Sequence, residues 1–254
     1  MNTFAKLNGH TAVITGASSG IGRAIALEFA RGGATTLVTC RNSIKRLDET
    51  VAEIGRIGSD VSSFVGDLAD AQTCRQLVDT AWRRHGEISI WVNNCGADVL
   101  TGPAAKLSYQ EKLDLLLDVD LQATIRLSRL AGARMREAGR GVILNIGWDQ
   151  ADRGMDGESG ELFAAVKNAI MGFTRSLALS LAPEVRVNCL APGWIKTAWG
   201  ETVGDHWQQR VLDETPLKRW GTPQDIANTA RFLCSDEAGF ITGQVVNING
   251  GAVR

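Results

Sequence analysis

The 254-residue chain lacks the features that mark a disulfide-bonded, metal-binding or membrane-spanning protein. Its five cysteines are scattered and none forms a C-x-x-C pair, so the sequence predicts neither a disulfide framework nor a zinc site. Its three histidines are far apart and make no metal-ligand pattern. No apolar run reaches the roughly 20 residues that cross a bilayer, and residues 1–6 contain no signal-peptide core. We therefore expect a reduced, cytoplasmic protein that holds no metal ion.

An excess of charge of one sign is also missing. The formal net charge is −1, which gives no reason to expect a nucleic acid or another polyanion as a partner. Hydrophobic residues make up 44% of the chain and charged residues 22%, and both values are ordinary for a globular protein. No repeat, low-complexity tract or linker divides the sequence. Its length suits one large α/β domain spanning residues 1–254.

Strand patterns alternate with helical patterns along the whole chain. The predicted strands are 11–15, 35–40, 61–65, 88–92, 142–146, 185–190 and 245–248. The predicted helices are 20–31, 44–57, 71–84, 118–138 (after a helical region from about 109), 162–181 and 223–234, with 194–215 irregular or helical. Strands separated by helices form parallel sheets covered on both faces. We predict a single-domain α/β fold with a Rossmann-type, doubly wound parallel sheet of about seven strands.

The stretch Thr15-Gly16-Ala17-Ser18-Ser19-Gly20-Ile21-Gly22 lies between the first predicted strand and the first predicted helix. Glycines let the backbone approach a ligand closely, and free N–H groups at a helix N-terminus attract anions. Serine hydroxyls add donors or cap the helix. A strand, a glycine-rich turn and a helix start together predict a phosphate-binding site. The residues expected to form it are Gly16, Ser18, Ser19, Gly20, Ile21 and Gly22.

The spacing T-G-x-x-x-G-x-G in this stretch resembles that of the short-chain dehydrogenase/reductase family. Later segments that follow predicted strands match the same family in chain order, over essentially the whole length. The subgroup that the chain resembles most is the 3-oxoacyl-(acyl-carrier-protein) reductases. The resemblance implies a nicotinamide nucleotide cofactor and a small-molecule carbonyl or alcohol substrate, with acyl-thioesters among the candidates.

Three later segments are expected to contact the cofactor. In Gly66-Asp67-Leu68, the aspartate resembles the family residue that hydrogen-bonds the adenine ring. Asn93-Asn94-Cys95-Gly96 resembles the N-N-A-G turn that packs against the ribose, and its cysteine is expected to be a small buried filler rather than a reactive thiol. The segment at 191–197 resembles the P-G-x-I-x-T segment that contacts the nicotinamide. The residues expected to bind are Asp67, Leu68, Asn94, Gly96, Pro192, Gly193, Ile195 and Thr197.

The residues after the second predicted strand, Cys40-Arg41-Asn42, include no acid. A cofactor without a 2′-phosphate would favour an acid here, accepting from the ribose hydroxyl. The guanidinium of Arg41 would instead pair with a 2′-phosphate through charge-assisted hydrogen bonds. We therefore predict that NADP(H) is favoured over NAD(H), the alternative for Arg41 being a surface arginine at a helix start. Arg23 either assists or belongs to a solvated helix face.

The catalytic centre departs from the pattern that the resemblance implies. In the family, a tyrosine gives the proton, and a lysine four residues later lowers the pKa of the phenol and holds the ribose. A serine binds the substrate oxygen, and an asparagine completes a water relay. Here Lys167 is retained and is expected to hold the ribose, whereas Phe163 stands at the tyrosine position. Trp148 aligns with the serine and Asp120 with the asparagine. The only tyrosine, Tyr109, does not align with the missing one.

Other side chains are candidates for the missing proton donor. Asp149 or Asp120 would serve if its pKa were raised, the alternative for Asp149 being a place in a solvated acidic loop. His206 is a candidate because a histidine can donate a proton at neutral pH, the alternative being a surface position. Residues 194–215 resemble the family's substrate lid. The lid tryptophans Trp194, Trp199 and Trp207 would form an apolar pocket with Trp148 or fill the space of a substrate.

The sequence leaves three functions open. The first is an NADP(H)-dependent oxidoreductase with a non-standard proton donor. The second is a catalytically silent protein that keeps the nucleotide site, as a sensor or as the inactive partner of an active reductase. The third is a reaction that needs no added proton. The resemblance also implies a homo-oligomer, either a dimer or a tetramer, built on the helices at 118–138 and 162–181, or a mixed oligomer with an active homologue.

Overall fold

Seven parallel strands form one sheet in the computed structural model, which describes residues 4–254 apart from the side chain of Trp199. The strands are β1 (Thr11–Ile14), β2 (Thr35–Cys40), β3 (Val61–Val65), β4 (Ile90–Asn93), β5 (Gly141–Ile146), β6 (Val185–Pro192) and β7 (Val245–Ile248). Their order across the sheet is β3-β2-β1-β4-β5-β6-β7, and each neighbouring pair is parallel. The predicted single-domain parallel α/β fold is confirmed.

Helices cover both faces of this sheet. They are α1 (Gly20–Arg31), α2 (Ile44–Ile57), α3 (Ala71–His85), α4 (Tyr109–Leu116), α5 (Ala123–Glu137), α6 (Glu158–Leu181), α7 (Ala198–Thr202), α8 (Asp205–Glu214) and α9 (Pro223–Cys234). One face packs against α1, α2 and α9, and the other against α3, α5 and α6. Within residues 4–254, every helix is too short or too polar to cross a bilayer.

The residues of β1 show why its sequence is a continuous apolar run. Ala12, Val13 and Ile14 are all fully buried. Successive side chains of a strand point to opposite faces, and here both faces are covered. Ala12 and Ile14 therefore pack in the core beneath α1 and α9, whereas Val13 packs in the core beneath α3 and α5.

The helix predicted at 118–138 has a different form in the structure. A π-helical segment, Leu117–Gln122, joins α4 to α5, so the helical stretch runs from Tyr109 to Glu137 with an irregular turn inside it. A π-turn takes in one residue more than an α-turn and thereby changes the direction of the side chains around it. Asp120 lies in this segment and is only 1% exposed. The apolar periodicity continues through the segment and gives no sign of it.

Candidate active site

Most of the residues predicted to bind the cofactor lie in or next to the turns that follow the C-terminal ends of the strands, which is where open α/β sheets bind ligands, whereas Phe163 and Lys167 lie on α6 and Asp120 in the π-helical segment. The turn between β1 and α1 leaves no room for a side chain at the position of Gly22. A Cβ atom there would lie 2.3 Å from the carbonyl oxygen of Gly16 and 2.4 Å from Asn94 Nδ2. Gly16 and Gly20 have φ angles of +66° and +54°, which favour glycine. The backbone therefore forms a cradle that a larger residue would fill.

The N-terminus of α1 fits an anion. Its N-cap residue, Ser19, is exposed, and its side chain makes no capping hydrogen bond. The first turn contains no acidic residue, so nothing in it opposes the partial positive charge of the helix N-terminus. Ile21 packs against the core beneath the helix, and Ser18 is half-buried in the turn. A phosphate group fits this arrangement of free N–H groups and hydroxyls.

Thr15 and Asn94 hold this turn against the end of β4. Thr15 Oγ1 donates to the Val92 carbonyl at 3.2 Å and accepts from the backbone N–H groups of Asn94 and Cys95, both at 3.0 Å. Asn94 Nδ2 donates to the carbonyl oxygens of Thr15 at 3.0 Å and Gly16 at 3.2 Å. Asn94 therefore ties the glycine turn to the end of β4. Thr15 was not predicted as a site residue, and its position at the strand end before the glycine turn was the available signal.

Cys95, in the same turn, is not a reactive thiol. Burial raises the pKa of its thiol to about 12, and the nearby carboxylates of Asp120 and Asp67 act in the same direction. Since the thiolate is the nucleophilic form, this side chain is inert at neutral pH. The structure therefore agrees with the expectation of an unreactive thiol, although the Cys95 side chain is half-buried rather than fully buried.

Arg41 is exposed beyond β2, next to the N-terminus of α2. Ser43, the N-cap residue of α2, makes no side-chain capping bond, and the first turn of α2 has no acid. Arg23, by contrast, forms a salt bridge with Glu53, so its guanidinium is already paired. Arg41 and the start of α2 thus present positive charge at the end of β2, with no acid in the first turn of the helix.

The turn after β3 presents one polar and one apolar residue. Asp67 is exposed, and its Oδ1 accepts the backbone N–H of Ala69 at 3.0 Å. Leu68 is 3% exposed and packs into the core beneath α3. Asp67 therefore remains available on the surface, whereas the side chain of Leu68 is buried away from it.

The segment after β6 approaches the glycine turn. Pro192 ends β6, and the backbone N–H of Gly193 donates to the Ile248 carbonyl at 3.1 Å. Ile195 is 8% exposed, in the core beneath α1 and α9. Thr197 Cγ2 would lie 3.7 Å from a Cβ on Gly20. The predicted segments at 15–22 and 191–197 therefore meet at one edge of the sheet.

Lys167 and Asp120 form an ion pair at the same edge. Lys167 Nζ donates to Asp120 Oδ2 at 2.8 Å and lies 3.5 Å from the Ile146 carbonyl oxygen at the end of β5. The lysine side chain is 13% exposed and the aspartate side chain 1%. Asp120 Oδ1 accepts the backbone N–H of Ala97 at 2.7 Å, so both carboxylate oxygens are engaged. Gly96 makes room, because a Cβ there would lie 2.9 Å from Asp120 Oδ2.

Trp148 and Phe163 pack together beside this pair. Phe163 lies one helical turn before Lys167 on α6, and residues four apart share a helix face. The ring centroids of Trp148 and Phe163 are 6.2 Å apart in an edge-to-face arrangement. Both side chains are half-buried. A phenyl ring has no proton to donate, and an indole N–H is a hydrogen-bond donor that is not acidic at neutral pH.

Asp149 does not lie in a solvated loop, and that alternative is wrong for this residue. It is 1% exposed, and its Oδ2 accepts from Asn249 Nδ2 at 3.0 Å. Burial raises the pKa of its carboxyl group to about 6. A Cβ on Gly193 would lie 3.1 Å from Asp149 Oδ2, so the carboxyl group sits behind the segment that follows β6. Asp149 is a titratable group near the site, directed toward β7.

Tyr109 and His206 both lie at the surface. Tyr109 is 40% exposed, and its hydroxyl group donates to Glu161 Oε2 at 3.2 Å. His206 is exposed at the start of α8, and its ring lies edge-on to Trp207, with centroids 6.1 Å apart. Neither residue is brought to the Lys167–Asp120 pair by any contact in the described structure. No three His, Cys, Asp or Glu side chains in residues 4–254 are grouped as a metal ion would require.

The region predicted as a lid contains α7 and α8. Trp194 Nε1 donates to Glu214 Oε2 at 3.0 Å, and its ring lies 5.6 Å from that of Trp207, centroid to centroid. Arg210 stacks over Trp207 at 4.8 Å and forms a salt bridge with Glu214 at 2.6 Å. Trp194 and Trp207 therefore contact each other and charged residues of α8. The side chain of Trp199 lies outside the described residues.

Comparisons with known proteins agree with this architecture. The family model for enoyl-(acyl carrier protein) reductase matches residues 16–253. The 3-oxoacyl-(acyl-carrier-protein) reductase of Thermotoga maritima is 32% identical over 250 residues, covering 98% of this chain and 99% of that protein. A 7α-hydroxysteroid dehydrogenase complexed with NADH and 7-oxo glycochenodeoxycholic acid has a TM-score of 0.90 at 32% identity, over 100% of this chain and 98% of that one. A short-chain dehydrogenase of Burkholderia cenocepacia in complex with NADP has a TM-score of 0.87 at 32% identity, over 97% and 99%.

Proposed function

The chain belongs to the short-chain dehydrogenase/reductase family, and we propose that it is an NADP(H)-binding oxidoreductase with a non-standard proton donor. Its substrate is a small carbonyl or alcohol compound, with acyl-thioesters included because of the acyl-carrier-protein reductase among its relatives. The observation that carries the proposal is the glycine cradle at Gly16 and Gly22, next to an α1 N-terminus that nothing caps.

The residues around the cradle fit a nicotinamide nucleotide. Ser18, Ser19 and the α1 N-terminus would hold the diphosphate, and Asp67 the adenine. Asn94 and Gly96 would line the ribose, and the segment Pro192, Gly193, Ile195 and Thr197 would border the nicotinamide. When bound, the nucleotide supplies or accepts the hydride. Lys167 would hold the ribose hydroxyl groups, since an ammonium has three N–H donors and Asp120 takes one of them.

A preference for NADP(H) over NAD(H) is supported by charge at the end of β2. Arg41 and the uncapped N-terminus of α2 have no acidic neighbour in the first helical turn. A 2′-phosphate would gain charge-assisted hydrogen bonds there. The two ligand-bound relatives hold NADP in one case and NADH in the other, so the preference rests on these residues of the chain itself.

The non-standard donor is proposed because the residues around Lys167 depart from the pattern that the family resemblance implies. We assign Phe163 to the tyrosine position, Trp148 to the serine position and Asp120 to the asparagine position. A positioned general acid contributes about 10²–10⁴ in rate, and an oxyanion donor about another 10²–10³. With both groups missing, we expect turnover far below that of relatives that keep them.

A second candidate function is a catalytically silent nucleotide-binding protein, acting as a sensor or as the inactive partner of an active reductase. The edge-to-face contact between Trp148 and Phe163 favours it, because two large rings stand where a substrate carbonyl would need polar partners. The silent protein keeps the glycine cradle and would bind the nucleotide with unchanged geometry. It differs from the first candidate only in the absence of turnover.

Three further features belong to the proposal. Residues 194–215 would act as the substrate lid. The chain would form a homo-oligomer, or a mixed oligomer with an active homologue, and Leu179 on α6, which is 83% exposed, supports an apolar contact there. A cytoplasmic location remains a prediction from the sequence.

The test combines nucleotide binding with turnover on the purified chain. Calorimetry should detect NADPH binding at least about tenfold tighter than NADH binding, the difference expected of one charge-assisted pair. A panel of ketones, alcohols and acyl-thioesters is then assayed beside the Thermotoga maritima reductase as a positive control. No nucleotide binding would contradict both candidates. Tight nucleotide binding without turnover of any substrate would support the second candidate, the catalytically silent protein.

A further inference from the structure

We propose that the ammonium group of Lys167, held by Asp120, is the proton donor to the substrate oxygen. The inference rests on the proposed oxidoreductase function and names the donor that function requires. It is carried by the ion pair at the end of β5, where Lys167 Nζ lies 2.8 Å from Asp120 Oδ2.

The chain positions this pair from three separate elements. The π-helical segment Leu117–Gln122 brings Asp120 into the interior. The backbone N–H of Ala97, beyond β4, fixes Asp120 Oδ1 at 2.7 Å. The helix α6 brings Lys167 to Oδ2, with the Ile146 carbonyl oxygen 3.5 Å from Nζ. π-turns inside helices occur frequently at functional sites.

Asp120 is a positioning residue and cannot itself be the acid while this pair is intact. Both of its oxygens accept hydrogen bonds, one from a backbone N–H and one from an ammonium, so neither oxygen is left for a ligand. An ammonium has three donors, so the one given to Asp120 leaves others for a ligand. Lys167 retains 13% exposure, whereas Asp120 is nearly sealed.

The other candidates are directed elsewhere. Asp149 faces Asn249 and lies behind Gly193. Tyr109 is bound to Glu161 at the surface. His206 is exposed on α8, against Trp207. Lys167 alone among these groups shares a helix face with Phe163, which stands at the position proposed for the family tyrosine.

Lysine is chemically suited to the role. In model peptides, lysine and tyrosine side chains have pKa values of about 10.4 and about 10, so an ammonium and a phenol are acids of similar strength. In the reduction, a hydride from the reduced nicotinamide adds to the carbonyl carbon and the C=O π electrons move to oxygen. That oxygen takes a proton from Lys167 Nζ, which becomes a neutral amine. The product is the alcohol, and solvent returns the proton to the amine.

The first test is chemical rescue under saturating NADPH. Lys167→Ala should lower kcat by about 10²–10⁴-fold, the value of a general acid. Ethylammonium, placed in the vacated space beside Asp120, should recover at least about tenfold of this loss. Tetramethylammonium carries the same charge without a proton and should recover nothing. Loss without rescue by ethylammonium, equal rescue by both cations, or retained turnover would each overturn the proposal.

The second test needs no turnover. The side-chain NH₃⁺ signal of Lys167, observed by ¹⁵N NMR of the nucleotide-free protein, should be protected from solvent exchange by its ion pair. Asp120→Asn should abolish this protection, while Asp118→Asn should leave it unchanged. Asp118 is the matched control because it lies in the same π-helical segment and accepts only from Gln122 at the surface. A Lys167 signal that is insensitive to Asp120→Asn would overturn the proposal, even if the alanine variant fails to fold.

Turnover of the wild-type protein and of Lys167→Ala distinguishes a wrong donor assignment from a wrong proposed function. Wild-type turnover that survives in Lys167→Ala would overturn only the assignment. Nucleotide binding without any wild-type turnover would remove the oxidoreductase function and the assignment with it.

Discussion

The indole of Trp148 meets the phenyl ring of Phe163 edge to face, with centroids 6.2 Å apart, one helical turn from Lys167. The two rings belong to different elements, the loop after β5 and the first half of α6. Because the two rings are in contact, we expect the effects of substituting them on the turnover rate to be coupled. Double-mutant cycles measure such coupling between residues in contact.

The first prediction concerns placing tyrosine and serine at these two positions, which we propose are those of the family's donors. Phe163→Tyr alone should raise ketone reduction by less than about tenfold, because Trp148 still denies the substrate oxygen a hydroxyl partner. Phe163→Tyr with Trp148→Ser should raise kcat by about 10²-fold or more, since it supplies both the acid and the oxyanion donor. Phe163→Leu is the control that alters the ring contact without adding a phenol. A full gain from Phe163→Tyr alone, measured as kcat at saturating NADPH, would contradict this coupling.

The alternation of strands and helices made the fold predictable, because each buried strand is a short apolar run and each helix has its own periodicity. The strand bounds of β2, β3 and β7 and the bounds of α1, α2 and α9 match their predictions. β4 begins at Ile90 rather than 88, although the backbone N–H of Ser89 still donates to the Thr11 carbonyl at 3.1 Å and its carbonyl accepts from Val142 at 2.9 Å. Strand ends depend on such long-range partners, which a local pattern does not contain.

The turns of the candidate site could be predicted from the sequence, whereas the contacts between residues far apart in the chain could not. The glycine turn follows from local spacing, and Asn94 was named through the resemblance of its turn to that of the family. Asp120 meeting Lys167 joins residues 47 positions apart and depends on a π-turn that has no periodic signal. Asp149 was expected in a solvated loop because acids cluster there in sequence. Its contact with Asn249 spans 100 positions and decides its burial.

The second prediction compares Gly→Ala substitutions at two positions, one in the nucleotide cradle and one inside a helix. Gly22→Ala would bring Cβ within 2.4 Å of both the Gly16 carbonyl oxygen and Asn94 Nδ2. We expect a loss of about 1–3 kcal/mol in the free energy of unfolding, typical of overpacking, together with loss of NADPH binding. Gly55→Ala in α2 is the control, because no atom lies within 4 Å of its Cβ position.

The control should gain about 0.5–1 kcal/mol, since alanine is favoured over glycine inside a helix, and should leave NADPH binding unchanged. Urea unfolding and calorimetric titration of each variant provide the two readings. A Gly22→Ala protein that binds NADPH as tightly as wild type would exclude this turn as the phosphate site.

The third prediction addresses the choice of nucleotide. Arg41→Ala should weaken NADPH binding by about 10–100-fold, the loss expected for a charge-assisted hydrogen bond worth about 1.5–3 kcal/mol. NADH binding should change by less than about twofold, because NADH has no 2′-phosphate. Arg23→Ala is the matched control, since the Arg23 guanidinium pairs with Glu53. Equal weakening of both nucleotides by Arg41→Ala would place the arginine outside the 2′-phosphate site.

The fourth prediction is a pH dependence of stability through Asp149. Burial raises the pKa of this carboxyl group from 3.8 to about 6 in the folded protein. Between these two values the folded state binds more protons than the unfolded state, so the contribution of Asp149 to stability falls as pH rises. It is fully present below about pH 4 and lost above about pH 6. At about 1.4 kcal/mol per pKa unit, the difference is about 3 kcal/mol.

Asp149→Asn removes this dependence while keeping an oxygen that can accept from Asn249 Nδ2. The variant should therefore be more stable than wild type at pH 8, by up to about 3 kcal/mol, because wild type must bury a charged carboxylate there. At pH 4 the two proteins should be equally stable, since the wild-type carboxyl is then neutral. Asp152→Asn, in the same loop and exposed, is the control and should show no crossover between these pH values. Urea unfolding at both pH values measures the effect. An Asp149→Asn protein that is less stable than wild type at pH 8 would contradict the prediction. It would mean that the contacts of the buried carboxylate stabilise it by more free energy than its desolvation costs.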